Sequence, residues 1–292
     1  MLRLILFLFI VFGISVVKVP QALALRPFVT TDADVAGPYA IELEWGIFGF
    51  TIKRQPGPDD VRIQSPSLRF NLGFPNLGFG DWEIVLETVH EFIDKKDKDL
   101  FESDTDQFTL TAGFIKNVWY RGEDWKPNVA TETGLLYPTE RGADRARGAD
   151  FEGILIMSWF FPSFTWHLTM GGATHHSTKE EVSKIKAECI YGTIIDVPVP
   201  GRERFHLVSE YTGEKIEGEE LQHQLLGGIV VHGPWGMDFD AAGFGALNAT
   251  GFPGATGASV DWGFTSGVTI STKIVRRRDW EIKKGRRFPW LK

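Results

Sequence analysis

The sequence predicts an all-β protein, a transmembrane up-and-down antiparallel β-barrel of about 12 strands. Three observations predict it. Residues 1–24 read as an export signal, with Arg3, an apolar run from Leu4 to Val17 and the closing Ala22-Leu23-Ala24. No later apolar stretch approaches the ~20 residues that a spanning helix needs. The remainder instead offers about a dozen segments in which apolar and polar residues alternate, and only alternate residues of a barrel strand meet lipid.

The composition agrees. Phe (23), Trp (10) and Gly (32) are plentiful, which suits strands, turns and interfacial aromatic belts. Cys189 is the only cysteine, so no internal disulfide is available in an oxidising compartment. No cysteine sits just after the cleavage point, which argues against a lipid anchor. The formal charge is −7, and loss of Arg3 and Lys18 with the signal makes the mature chain more acidic still. With no basic aromatic groove in the body, nucleic acid is excluded as a partner.

The domain organisation expected is a signal peptide at 1–24, an N-terminal periplasmic segment at 25–38, the barrel at 39–274 and a basic tail at 275–292. The first strand, Tyr39 to Lys53, sets Tyr39, Ile41, Leu43, Trp45 and Ile47 against Ala40, Glu42, Glu44 and Gly46. Two carboxylates on one face need water or a polar partner. The second, Val61 to Phe74, opposes Leu68, Phe70 and Leu72 to Arg69 and Asn71. The third, Trp82 to Ile93, opposes Ile84 and Leu86 to Glu83, Glu87 and Glu91. The fourth, Thr105 to Tyr120, has ambiguous faces because Lys116 and Asn117 lie on opposite sides. The fifth, Val129 to Tyr137, turns Glu132 away from Leu135. The sixth, Ala149 to Phe161, turns Glu152 and Ser158 away from Phe151, Leu155 and Met157.

Pro162-Ser163 leads into a seventh strand with His167 between Trp166 and Leu168. The eighth, Lys184 to Val197, carries Lys186 and Glu188 on its polar face. The ninth is short, Arg204 to Thr212, with Glu210. The tenth, Glu220 to His232, turns through Gly233-Pro234-Trp235-Gly236 into an eleventh bearing Asp238 and Asp240. The twelfth alternates Trp262, Phe264, Val268, Ile270 and Ile274 with Gly, Thr, Ser and Lys. If the first strand runs outward, outer connections average roughly nine residues and inner ones five, the asymmetry of outer-membrane barrels. A soluble sandwich could alternate in the same way, but these strands reach the ~9–11 residues that span a bilayer.

Several short segments resemble the family labelled "MetA-pathway of phenol degradation". They are Arg26-Pro27-Phe28-Val29-Thr30-Thr31-Asp32-Ala33 with Ile41-Glu42-Leu43-Glu44, then Pro127 to Glu140, Leu207 to Gly213, and Asp261 to Thr269. The resemblance implies an outer-membrane β-barrel transporter, and it spans nearly all of the mature chain. It establishes neither phenol as a substrate nor any catalysis. Members usually end on an aromatic that closes the last strand and helps the barrel-assembly machinery, whereas this chain continues to Lys292. Glu140 stands where the family often has Gly.

The candidate lumen-lining residues are Glu42, Glu44, Arg69, Glu87, Glu132, Glu152, His167, Lys186, Glu188, Glu210, Asp238 and Asp240. They have two readings. One is an acidic pathway favouring cations or neutral solutes. The other is an ion-pair network that plugs a narrow barrel, since twelve strands fall between filled and open sizes. Ser158 with His167 could be imagined as a hydrolase pair, but no motif fixes that geometry. His175-His176 near Glu180 and Glu181 show no metal-ligand spacing and read as a solvated loop. Neither a cofactor nor a metal is expected. Trp45, Trp82, Trp119, Trp159, Trp166, Trp235 and Trp262 fall near strand ends, as interfacial girdles require. The tail carries eight Lys and Arg residues against Asp279 and Glu281, suiting either a solvated end or docking on an anionic surface. Asn248-Ala249-Thr250 is an incidental sequon.

These residues predict a non-enzymatic channel or transporter in the bacterial outer membrane. Its cargo would be small molecules, hydrophobic or aromatic ones included, and its partners outer-membrane lipid and solute. A closed structural or binding barrel is the alternative, and an outer-membrane hydrolase the third.

Overall fold

Alternating faces produce a sheet that closes on itself. A computed structural model describes residues 32–53, 60–64, 67–76, 78–96, 103–141, 149–176, 185–218, 221–248 and 262–273. The signal peptide, Ala249-Thr250 of the sequon, Glu180, Glu181, Ile274 and the tail lie outside the described residues. The strands are β1 (Ala40–Lys53), β2 (Asp60–Gln64), β3 (Ser67–Phe74), β4 (Asp81–Lys96), β5 (Ser103–Tyr120), β6 (Asn128–Arg141) and β7 (Asp150–Phe160). They continue as β8 (Thr165–His176), β9 (Ile185–Val199), β10 (Arg202–Ile216), β11 (Gln222–His232), β12 (Met237–Asn248) and β13 (Trp262–Lys273).

Apart from β2 and β3, which do not pair with each other, each strand pairs antiparallel with its sequence neighbours, and β13 pairs β1 from Ala40↔Lys273 to Ile52↔Trp262. β2 and β3 lie end to end between β1 and β4, so they are two halves of one barrel strand. The result is a closed barrel of twelve strands. The strand expected over Val61–Phe74 is thus present on both sides of residues 65–66, which lie outside the described residues, and both parts keep one register against β1. The strand read as short, Arg204 to Thr212, is the fifteen-residue β10. Its alternation runs on through polar Glu214 and Lys215, where hydropathy no longer marks a strand. His175 and His176, expected in a loop, close β8 and pair with Lys186 and Ile185 of β9.

Connections are shorter at one end. Strands there are joined through 75–80, 121–127, 161–164, 200–201 and 233–236, and this is called the turn end. The short helical turn at Pro234–Gly236 places Trp235 at φ 63. Between Phe74 and Asp81, Asn76 Oδ1 accepts the Gly78 N–H at 2.7 Å, and Gly78 and Gly80 take φ of 102 and 104, which disfavours any residue with a Cβ.

The face turned away from the barrel axis is apolar. Leu86, Ile115, Leu135, Met170, Leu207 and Leu225 all remain about half exposed, while the opposite face buries Glu, Asp, Asn and His. That inversion is what a bilayer-facing barrel requires. A bulge keeps β1 in phase with it: the pairing with β13 shifts between Gly46 and Phe48, so Ile47 and Phe48 both point outward. Aromatics gather in belts. At the turn end Trp159 stacks on Trp166 at 4.6 Å and Trp82 meets Trp119 at 6.4 Å. Phe50 meets Trp262 at 5.5 Å toward the opposite, loop end. The indole N–H groups of Trp119 and Trp166 donate to Thr131 and Thr193, each at 2.7 Å.

The enclosed side is not purely polar. Val85, Ala112, Phe114, Ala130, Ile156, Ile194, Val208 and Val230 are buried there in three clusters. The sequence reading put polar residues, Ala and Gly on that face, but none of its large apolar residues. Gly-Ile-Leu-Ile-Met (153–157) shows why: it is apolar on both faces, so hydropathy cannot reveal which side is enclosed.

Candidate functional site: the enclosed polar face

Arg69 on β3 stands at the centre of the main polar cluster. Its guanidinium lies 3.7 Å from Glu44 of β1, 3.5 Å from Glu87 of β4 and 3.1 Å from Glu132 of β6. Asn71, two residues on and so on the same face, accepts from Arg69 Nε at 3.3 Å. Its amide donates to Glu44 at 2.7 Å and Glu42 at 3.4 Å. Ser271 of β13 donates to Glu42 at 2.8 Å, tying the cluster across the closing seam. Glu152 lies within electrostatic reach of Glu132 and Glu87. Arg69 thus pairs with three of the expected carboxylates, Glu42 and Glu152 lie close by, and the cluster is acidic in sum.

A second group lies across β9 to β12. His206 Nδ1 is 2.7 Å from Asp196, and His232 Nδ1 is 2.8 Å from Asp238. The two imidazoles meet edge to face at 4.5 Å. Glu210 and Asp240 are buried in the same sector. Lys186 and Glu188 are half-buried on the enclosed face nearer the loop end. Asp196, His206 and His232 were not singled out by sequence reasoning. One signal was present: His232 and Asp238 face each other directly across the Gly233–Gly236 turn.

The third feature is the segment expected to precede the barrel as a periplasmic stretch. Residues 32–38 turn inward and lie on the enclosed face. Asp32 pairs with Lys116 of β5 at 3.2 Å. Asp34 meets Arg121 at 2.7 Å and Asn128 at 3.3 Å. The Ala33 N–H donates to Ser158 Oγ at 2.8 Å, and the Ala36 N–H to Glu83. Ala33 and Val35 pack with Val118, Ala130 and Ile156. This resolves the ambiguity at 116–117: Lys116 points inward, while Asn117 donates to the carbonyls of Phe79 and Asp81 in the adjacent turn.

Gly73 makes the approach of this segment possible, because a Cβ there would overlap the carbonyl oxygens of Ala36 and Gly37. Gly73→Ala is therefore expected to unseat residues 32–37 while leaving the barrel closed. Maleimide labelling of Val35→Cys in a Cys189→Ser background checks it: reactivity should rise with Gly73→Ala, and unchanged reactivity would refute the fit.

Ser158 Oγ and His167 Nδ1 do come together, at 2.7 Å. The pair is buried, Ser158 Oγ is covered by the Ala33 backbone, and His167 Nε2 has no partner, carboxylate included. Through the Ala33 N–H the pair forms part of the anchorage of the segment. No group of three or more His, Cys, Asp or Glu suited to a metal occurs among the described residues.

Burial differs along the lumen. Around the inserted segment Ala130, Ile156 and Ser158 have no exposed surface, whereas Glu87, Glu152, Lys186 and Glu188 toward the loop end are half-buried. Among the described residues, the enclosed space is filled at the turn end and its side chains are less buried beyond Arg69.

No protein-family model and no curated protein matches the chain. Among solved structures, the β-domain of the Bordetella autotransporter BrkA is similar at TM-score 0.50 and 12% identity, covering 82% of this chain and all 100% of that one. The chain shares that closed-barrel fold. The NanC porin aligns at TM-score 0.49 and 8% identity over 79% of this chain and 98% of its own. The translocator domain of the autotransporter NalP from Neisseria meningitidis aligns at 0.46 and 9%, over 79% and 88%.

Proposed function

We propose that the protein is a bacterial outer-membrane channel or transporter for small molecules, with the turn end in the periplasm. The observation that carries this reading is the inversion of faces: half-exposed aliphatic residues outside and a lumen built around Arg69 and its carboxylates inside. The surplus of carboxylates favours cations and neutral solutes over anions. Phe114, Ile156 and Leu226 on the enclosed face suit solutes with an apolar side, and the resemblance to the phenol-degradation barrels extends the reading to hydrophobic and aromatic cargo. The buried, covered Ser158–His167 pair supports a non-enzymatic role.

The closed structural or binding barrel is the second reading, favoured by the residues 32–38 that fill the turn end. Planar-bilayer recording of the refolded mature chain separates the two. A channel gives discrete steps with a cation-over-anion permeability ratio above one. A folded, heat-modifiable barrel that stays silent, with residues 32–36 present or deleted, belongs to the closed reading. A chain that remains soluble without detergent would end the membrane assignment.

A further inference from the structure

We infer that the segment Asp32–Pro38 is a displaceable gate at the turn end of the lumen, held shut by Lys116 and Arg121. This rests on the channel reading above. The first ground is how the segment is held. It joins no strand: its bonds to the wall run from Asp32 to Lys116, from Asp34 to Arg121 and Asn128, and from two backbone N–H groups to Ser158 and Glu83. Its withdrawal therefore breaks no ladder hydrogen bond, and the barrel wall keeps its register.

The second ground is that most of the wall is satisfied without it. Arg121 also binds Asp81 at 3.0 Å. Ser158 keeps His167 at 2.7 Å. Asn128 Oδ1 accepts the Gly122 N–H at 2.9 Å. Lys116 has Glu83 and Glu132 as electrostatic neighbours besides Asp32. A buried polar group left without a partner would lock the segment in place. Here Arg121, Ser158 and Lys116 keep neighbours on the wall when the segment leaves, while the Asn128 amide N–H and Glu83 give up their bonds to it. Few wall groups therefore hold the segment irreplaceably, and a withdrawn state is accessible.

The third ground is the hinge. The Ala40 N–H donates to Gly37 O at 2.8 Å, and the Tyr39 N–H to Gly73 O at 3.0 Å, with Tyr39 at φ 59. This tight reversal pins the chain where it enters β1 and confines movement to the residues before it. What opposes withdrawal is the uncovering of Val118, Ala130 and Ile156 and the loss of two ion pairs. Neutralising either side of the two pairs therefore tips the equilibrium toward open.

Single-channel recording of the full mature chain tests the gate with three variants, each first shown to be folded by heat-modifiability. Lys116→Gln/Arg121→Gln removes the anchors from the wall. Asp32→Asn/Asp34→Asn removes them from the segment and leaves the wall intact. Deletion of residues 32–36 removes the gate. Both charge variants are expected to raise open probability several-fold over the wild type, and the deletion to stay open. If both charge variants open as rarely as the wild type while the deletion conducts, the segment is a fixed plug and the gate is overturned, although the channel stands. If the folded deletion barrel is silent, the channel reading itself falls.

Discussion

Leu135→Arg is expected to destabilise the barrel by about 2–4 kcal/mol, the penalty for a cation on the lipid face near the bilayer midplane. Leu135 lies mid-strand in β6, points outward and is 57% exposed. In a soluble protein an exposed Leu→Arg change would be nearly neutral, so the size of the effect reports the solvent that the residue faces. Ile185 is equally exposed but opens β9 at the loop end. Ile185→Arg should cost only about 0–1 kcal/mol, because the penalty fades toward the interface. Guanidinium titration of both variants in phospholipid vesicles gives the comparison. Equal, small penalties would show that this face does not lie in hydrocarbon.

Arg69→Met should be at least as damaging, costing about 3–5 kcal/mol, because it strands a set of enclosed carboxylates without their shared cation. Glu44, Glu87 and Glu132 come from three other strands and converge on this one guanidinium. Removing the charges along with the cation distinguishes repulsion from lost packing. Adding Glu44→Gln and Glu132→Gln to Arg69→Met should recover much of the loss, a coupling that the same titration reads directly. If the neutralised triple variant is no more stable than Arg69→Met, the arginine acts by filling space.

Much of the fold was written in alternation. Segments such as Trp262 to Lys273 and Ala40 to Trp45 carry their two faces openly, because one is turned outward and apolar and the other is enclosed. Where the pattern failed, the cause is local. Ile47 and Phe48 are consecutive outward residues, and only the bulge in the pairing with β13 makes sense of them. Ile154 and Ile156 lie on the enclosed face yet resemble their outward neighbours.

The lumen residues were legible as types and sides, not as partners. Glu44, Glu87 and Glu132 read as inward from their own strands, but their meeting at Arg69 depends on the register of four strands. Asp32 and Asp34 escaped because a seven-residue stretch without period or ladder carries no signal of where it docks. Only Gly73, the penultimate residue of β3, hinted that another backbone comes close.

The wall contacts of that first segment have a bearing on how the chain assembles. They fall on Glu83, Lys116, Asn128 and Ser158, which belong to β4, β5, β6 and β7, and the bond from Ala33 to Ser158 spans 125 residues. Strands β8 to β13 supply none of these bonds. A half-built, still open sheet ending at β7 already presents the whole docking surface, so the beginning of the chain can be seated before its end exists. Curling the remaining strands round to meet β1 then encloses a guest that is already in place, and nothing has to be threaded through a finished ring.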